Sequence, residues 1–253
     1  QNIPTRTELG SQLRRMFTAP EGCVLVDADY SQIELRLLAH IAGDAEMQAA
    51  FRSGADFHTV TASRVFHVPP EEVTPEMRRR AKAVNFGIVY GISAFSLAQD
   101  IGVSVAEAKA YMERYFETYQ GVRQYMTDVV AKAEQDGYVQ TLMHRRRALP
   151  ELKSSNFNLR EFGKRVALNM PVQGTAADIM KLAMVRVHRR LKREGLRARL
   201  LMQVHDELIV ECPASEQEQV ERLLTEEMEQ AASLSVPLIA EAHSGKNWLA
   251  AKE

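Results

Sequence analysis

Asp29 closes a short apolar stretch, Val24-Leu25-Val26 followed by Asp27-Ala28, and Asp206 sits in His205-Asp206-Glu207 between Leu200-Leu201-Met202 and Leu208-Ile209-Val210. Carboxylates are natural ligands for hard cations such as Mg²⁺. Phosphoryl transfer from a nucleoside triphosphate calls for two such ions about 3.5–4 Å apart, one activating the attacking oxygen and one steadying the leaving oxygen. A strand-end aspartate and a hairpin-tip aspartate meet if their strands are neighbours in one sheet. Each also has a plainer reading, because an aspartate at a strand end is most often a turn or cap residue.

A second constellation follows Thr74-Pro75-Glu76, which reads as a helix start with proline at the first position. Arg78, Lys82, Phe86 and Tyr90 recur every four residues and lie in one slowly drifting stripe, joined by Asn85 and Val89. Cations occupy the first two turns and aromatics the later ones. Such a face can hold phosphates at one end and stack a base at the other. An ordinary amphipathic helix with Phe86 and Tyr90 in the core accounts for the same spacing. Gly87 and Gly91 allow close backbone approach or bending, at about 1 kcal/mol each.

Positioning these groups takes strands at the two ends of the chain and helices between them. Val24–Val26 reads as a buried strand, Ile33, Leu37, Leu38 and Ile41 repeat at helical spacing up to Gly43-Asp44, and residues 200–210 read as a β-hairpin with the acids at its tip. Helix is expected over roughly 104–136, with Gly102 and Gly137 as punctuation, over 161–193 and over 215–232.

With 253 residues, 45% of them hydrophobic, the chain can bury a sizeable core. Cys23 and Cys212 are too few and too distant for a zinc cluster or a disulfide framework, which points to a reduced intracellular setting. No apolar run approaches the roughly 18 residues that span a bilayer, and the polar start QNIPTRTELG lacks a signal-peptide core, so a soluble chain is expected. The net charge of −1 hides an uneven distribution. Basic runs stand at Arg78, Arg79, Arg80 and Lys82, at Arg145, Arg146 and Arg147, and from Arg186 to Arg199; Glu216, Glu218, Glu221, Glu226, Glu227 and Glu229 balance them. Basic runs of this kind are solvated helix faces or phosphate-binding patches.

The motifs narrow the reading. DYSQIELR at 29–36, RRRAKAVNFGIVYG at 78–91 and QVHDE at 203–207 resemble, in order and nearly letter for letter, the three signature motifs of bacterial DNA polymerase I, family A. QNIP at the start, NMPVQGTAADIMK at 169–181 and VPLIAEAHSGKNW at 236–248 resemble the same family, so the likeness covers essentially the whole chain. The resemblance implies an α+β fold, a right-hand polymerase palm built on an antiparallel sheet with inserted helical fingers. Residues 1–31 and 198–253 would form a discontinuous palm, and 32–197 the fingers and palm-packing helices. It also implies that the thumb, a preceding palm segment and the nuclease domains of the family are absent, leaving a fragment.

For the site, the resemblance implies that Asp29 and Asp206 bind two Mg²⁺ ions, with Mn²⁺ able to replace them, and that the Tyr30 backbone carbonyl reaches a metal. Glu207 would support them from nearby. Arg78 and Lys82 would grip the dNTP triphosphate, Gln32 and His58 would assist, and Lys82 would protonate departing pyrophosphate. Glu34 packed with Phe86 would exclude a ribose 2′-hydroxyl, and Phe86 implies discrimination against dideoxynucleotides. Tyr90 would stack near the templating base. Arg165, Asn169 and Gln173, one helix face at four-residue spacing, would touch primer-template DNA, with His205 near the primer terminus. The implied reaction is templated extension of a primer 3′-hydroxyl, with closure of the Arg78–Tyr90 helix over a correct pair, in the bacterial cytoplasm at the nucleoid. A DNA- or nucleotide-binding fragment that is inactive without the thumb, or that needs a separate polypeptide to supply it, is the alternative. A metal-dependent nuclease using the same acids leaves the Arg78–Tyr90 face unexplained, and a single-subunit RNA polymerase sits poorly with Glu34.

Overall fold

In the computed structural model, Ile3 and residues 8–252 are described; the rest of QNIP lies outside them. Helix α1 (Glu8–Gln12) precedes strand β1 (Cys23–Tyr30), and α2 (Ile33–Ile41), α3 (Ala45–Arg52), α4 (Phe57–Phe66), α5 (Pro75–Val89), α6 (Ala94–Ile101), α7 (Val105–Thr118) and α8 (Gln120–Asp136) follow. A small hairpin of β2 (Tyr138–Gln140) and β3 (Arg146–Ala148) leads into the long helix α9 (Phe157–Arg193). Strands β4 (Arg199–Val204) and β5 (Glu207–Pro213), helix α10 (Gln217–Glu229) and strand β6 (Ala240–Gly245) complete the order. Contacts divide the chain into two units: Gln1–Ile33, Ala176–Ser233 and Leu238–Glu253 form the first, Glu34–Thr175 and Leu234–Pro237 the second.

The first unit is built on a four-stranded antiparallel sheet in the order β4-β5-β1-β6. Strand β1 lies inside it and is buried on both faces from Leu25 to Ala28. Side chains alternate across a strand, and the partners show which face is which. Tyr30, in phase with Val26 and Ala28, donates its hydroxyl proton to the Met228 carbonyl oxygen at 2.7 Å, on the side covered by Val220, Leu223, Leu224 and Met228 of α10. Leu25 packs instead in a cluster with Val204, Ile209, Trp248 and Ala251. Asp27 and Asp29 share that second face.

The second unit is mainly helical. Its core includes Phe57, stacked on Phe51 with centroids 4.5 Å apart, and the buried Tyr115 and Tyr119. Capping explains most of its helix starts: Asp44, Asp56, Thr74, Ser93 and Ser104 each accept a hydrogen bond from a backbone N–H in the first turn of the following helix. The helix expected over 104–136 is two helices. The chain breaks at Tyr119, and the Asp44 carboxylate accepts the N–H of Gly121 at 2.8 Å, capping α8 from 77 residues away. In α9, Pro171 removes one backbone donor, and the Thr175 hydroxyl donates to the Pro171 carbonyl oxygen at 2.5 Å. Among the described residues no helix is long and apolar enough to cross a membrane.

Candidate active site

In the first unit the β1–β5 register sets Asp29 opposite Glu207. Strand β5 begins at Glu207, so the hairpin tip is His205-Asp206 and Glu207, expected at the tip, is a buried strand residue instead. His205 adopts a left-handed φ of 53°, and the Tyr30 N–H donates to the Asp206 carbonyl oxygen at 3.1 Å, tying the tip to the end of β1. With the Tyr30 hydroxyl spent on Met228, only its backbone is left to face a ligand.

A short helical turn, Ala250–Lys252, adds residues that the sequence reading missed. The Lys252 ammonium stands 3.0 Å from Asp29 Oδ2 and 3.6 Å from Asp27 Oδ1, and it also pairs with Glu207 Oε2. Trp248 donates its indole N–H to Asp27 Oδ2 at 3.0 Å. Three carboxylates therefore surround one ammonium. Burial and the charge of Glu207 push the Asp27 carboxyl up to about 7, against the pull of Lys252 and Trp248. Burial, then the charge of Asp29, raises Asp206 to about 6. Lys252 is held above its ordinary value, since Glu207, Asp27 and Asp29 outweigh the burial that opposes its charge. Asp27 was signalled by its place two residues before Asp29, on the same strand face; nothing local marks Lys252.

Asp29 Oδ1, Glu207 Oε1 and Gln32 Oε1 are buried and lack a hydrogen-bond partner. Asp27, Asp29, Gln32, Glu241, His243 and Lys252 line a cleft of about 330 Å³. Buried oxygens without donors suit an oxygen-seeking cation. Among the described residues no group of three or more His, Cys, Asp or Glu side chains is arranged to hold a metal by itself. Mg²⁺ commonly needs no such cage, being held by one or two carboxylates together with substrate phosphates and water. Asp29, with its buried unpartnered oxygen, fits that ion on those terms, and Asp206 is near enough for the charge of Asp29 to act on its carboxyl.

In the second unit, α5 presents the expected stripe only in part. Lys82 is exposed and, among the described residues, has no ion-pair partner. Arg78 meets Asp56 through two hydrogen bonds of 2.8 and 3.0 Å, while Arg79 and Arg80 pair with Glu76. Phe86 is half-buried and Tyr90 exposed, so neither belongs to the core, whereas Asn85 and Val89 point inward and leave the stripe. Tyr90 donates its hydroxyl proton to Glu34 Oε2 at 2.5 Å.

Asn85 is part of a buried chain. Its amide donates to His58 Nδ1 at 2.9 Å, its oxygen accepts from the Thr61 hydroxyl at 3.2 Å, and Thr61 meets the Tyr119 hydroxyl at 3.1 Å. An amide nitrogen only donates, so Nδ1 must accept and the neutral ring carries its proton on Nε2. Burial, aided by Arg78 and Lys82, lowers His58 to about 4 despite Asp56.

Helix α5 ends at Val89 in a Schellman motif: the Gly91 N–H donates to Ile88 O and the Ile92 N–H to Gly87 O, with Gly91 at a φ of +66°. A side chain at Gly91 would come 3.2 Å from Leu168 and 3.6 Å from Arg165, so the helix end abuts the face bearing Arg165, Asn169 and Gln173. Arg165 and Gln173 are exposed, and Asn169 is half-buried with its Oδ1 unpartnered.

The model of DNA polymerase family A matches residues 1–250. The chain belongs to that family. It is 55% identical over all 253 residues to DNA polymerase I of Bacillus caldotenax and of Geobacillus stearothermophilus, and 54% identical to that of Bacillus subtilis (strain 168). It covers 29% of each of these relatives. A solved structure, the POL domain of Pol1 from M. smegmatis in complex with DNA primer-template and dNTP, superposes with a TM-score of 0.95 at 50% identity, over 100% of this chain and 45% of that one.

Proposed function

We propose that this chain carries the polymerising centre of a DNA polymerase and extends a primer 3′-hydroxyl with deoxynucleotides copied from a template. The observation that carries this is the β1–β5 pairing, which brings the end of β1, with Asp29, beside the β4–β5 turn, with Asp206, and leaves carboxylate oxygens of Asp29 and Glu207 unpartnered. On this reading the sheet-bearing first unit is the palm and the helical second unit the fingers. Asp29, Asp206 and the Tyr30 carbonyl hold two Mg²⁺ ions, or Mn²⁺ in their place. Bound there, the ions make the primer hydroxyl nucleophilic and neutralise charge on the phosphates.

The side chains do the rest. Lys82 binds the triphosphate and protonates the departing pyrophosphate. Arg78 exchanges Asp56 for phosphate, at little cost because an exposed ion pair contributes at most about 1 kcal/mol. His58 offers an Nε2–H donor fixed by Asn85, and Gln32 adds its amide. Glu34, held by Tyr90, closes the sugar pocket with Phe86. Arg165, Asn169, Gln173 and His205 contact the primer-template. The primer-template and dNTP in the M. smegmatis complex support this choice of ligands. The bacterial relatives support a cytoplasmic setting.

The test is primer extension by Asp29→Ala and Asp206→Ala chains, with DNA affinity followed by fluorescence anisotropy. Synthesis is expected to fall on the order of a thousandfold or more while DNA binding persists; undiminished synthesis overturns the assignment. The chain spans 29% of the length of these relatives, and a second reading is that these residues by themselves bind DNA or nucleotide and turn over only together with the remaining parts of such a protein. Extension by the chain alone, then with the remaining part of a relative added, separates the two.

A further inference from the structure

Lys252 sits where a cation is wanted before any metal arrives. Its ammonium contacts Asp29 Oδ2, Asp27 Oδ1 and Glu207 Oε2, and the partner oxygens Asp29 Oδ1 and Glu207 Oε1 are buried with nothing to bind. Asp27 and Glu207 are almost fully buried, while Asp29 is considerably more exposed. Like charges packed this closely repel strongly in a medium of low polarity. One ammonium offsets only part of that repulsion. Its bonds fall in two classes: Asp27 and Glu207 keep it in the interior, and Asp29 is the ligand shared with solvent. A flexible four-carbon stem lets the ammonium give up one partner while keeping the others.

We infer that Lys252 is a tethered competitor cation that neutralises the acid cleft in the metal-free chain and surrenders Asp29 when a divalent ion binds, staying on Asp27 and Glu207. This rests on the reading of Asp29 as a metal ligand. Lys252 then sets how tightly the metal is held, weakening it enough that the ion can come and go with each nucleotide. It acts through Asp29 and is a positioning residue.

The experiment measures Mn²⁺ binding to the full chain by electron paramagnetic resonance without DNA or dNTP, for the native chain, Asp29→Asn, Lys252→Met, Lys252→Arg and the Lys252→Met/Asp29→Asn double variant. Lys252→Met is expected to tighten the Asp29-dependent site by on the order of tenfold, Lys252→Arg to stay within about twofold of the native affinity, and the double variant to lose the gain. The methionine preserves the buried stem, and circular dichroism reports whether each variant is folded. If Lys252→Met is unfolded, Lys252→Gln, which keeps a hydrogen-bonding stem without the charge, carries the test: Mn²⁺ binding tighter than in the native chain supports the inference, and native affinity in the folded variant overturns it. If the native and folded Lys252→Met isotherms coincide, or the variant binds more weakly, while Asp29→Asn abolishes the site, the inference falls and the metal reading stands. If Asp29→Asn leaves Mn²⁺ binding intact, the metal reading fails and takes the inference with it.

Discussion

His58 shows how one side chain's state is set by its partners. Buried, and donated to by Asn85 at Nδ1, it stays neutral in the folded chain down to about pH 4, whereas an unfolded histidine protonates near pH 6.5. The folded pKa is depressed, so this contribution to stability is complete above about pH 6.5 and is lost as pH falls toward 4, because the unfolded state then binds the extra proton. Denaturant unfolding of the native chain and of His58→Phe across this window is expected to diverge by up to about 3 kcal/mol, the native chain being more acid-sensitive. Asn85→Leu leaves buried His58 Nδ1 without a donor and is expected to cost about 1–3 kcal/mol in the same assay; if the chain polymerises as proposed, it also raises KM for dNTP more than it lowers kcat. The sequence singles out Asp29, Lys82 and Asp206 because each stands in an ordered motif, whereas His58 enters only through the family resemblance. Asp27 was half legible through strand alternation. Asn85 was grouped with the Arg78–Tyr90 stripe but turns inward, since periodicity shows which residues share a face and not which side of that face turns inward.

Among the elements, strands β1, β4 and β5 and the start of α5 follow from local signals, whereas β2, β3 and β6 carried none that was read, and the break between α7 and α8 has a long-range cause. Strand β1 was visible as a β-branched run ending in acids, and α5 as a Thr-Pro start. The break between α7 and α8 was not, because it depends on Asp44, a residue far off in sequence whose carboxylate substitutes for the next turn of helix. Gly121 is needed there: a Cβ would lie 2.9 Å from the Asp44 Cα. Gly121→Ala is therefore expected to lower the melting temperature, with a loss of about 1–3 kcal/mol, although alanine favours helices. Gly91→Ala forces an L side chain into the left-handed region against Leu168 and is expected to cost about 1–2 kcal/mol. Calorimetry of both variants checks the pair. The Lys252 turn left no sequence trace because its significance lies wholly in where the sheet places Asp27, Asp29 and Glu207.

For the molecule as a whole, two of the three basic runs have opposite fates. The run from Arg186 to Arg199 is largely consumed at home: Arg186 pairs with Glu227, Arg190 with Glu194 and Glu226, and Arg199 with Glu211. The Arg145–Arg147 run stays exposed, with Arg146 lying over the Tyr138 ring at 4.6 Å. If DNA is the partner, Arg147→Gln is expected to reduce the slope of log affinity against log salt by about one, while Arg186→Gln leaves it unchanged; anisotropy titrations at several salt concentrations measure both. Behind the acids stands the chain's single tryptophan, buried beneath Arg14 and bonded to Asp27 through its indole nitrogen. That makes the molecule its own optical instrument: any change in charge at the cleft alters the field across the indole, so intrinsic emission follows the acids in real time without a dye, and Asp27→Asn should silence much of that response.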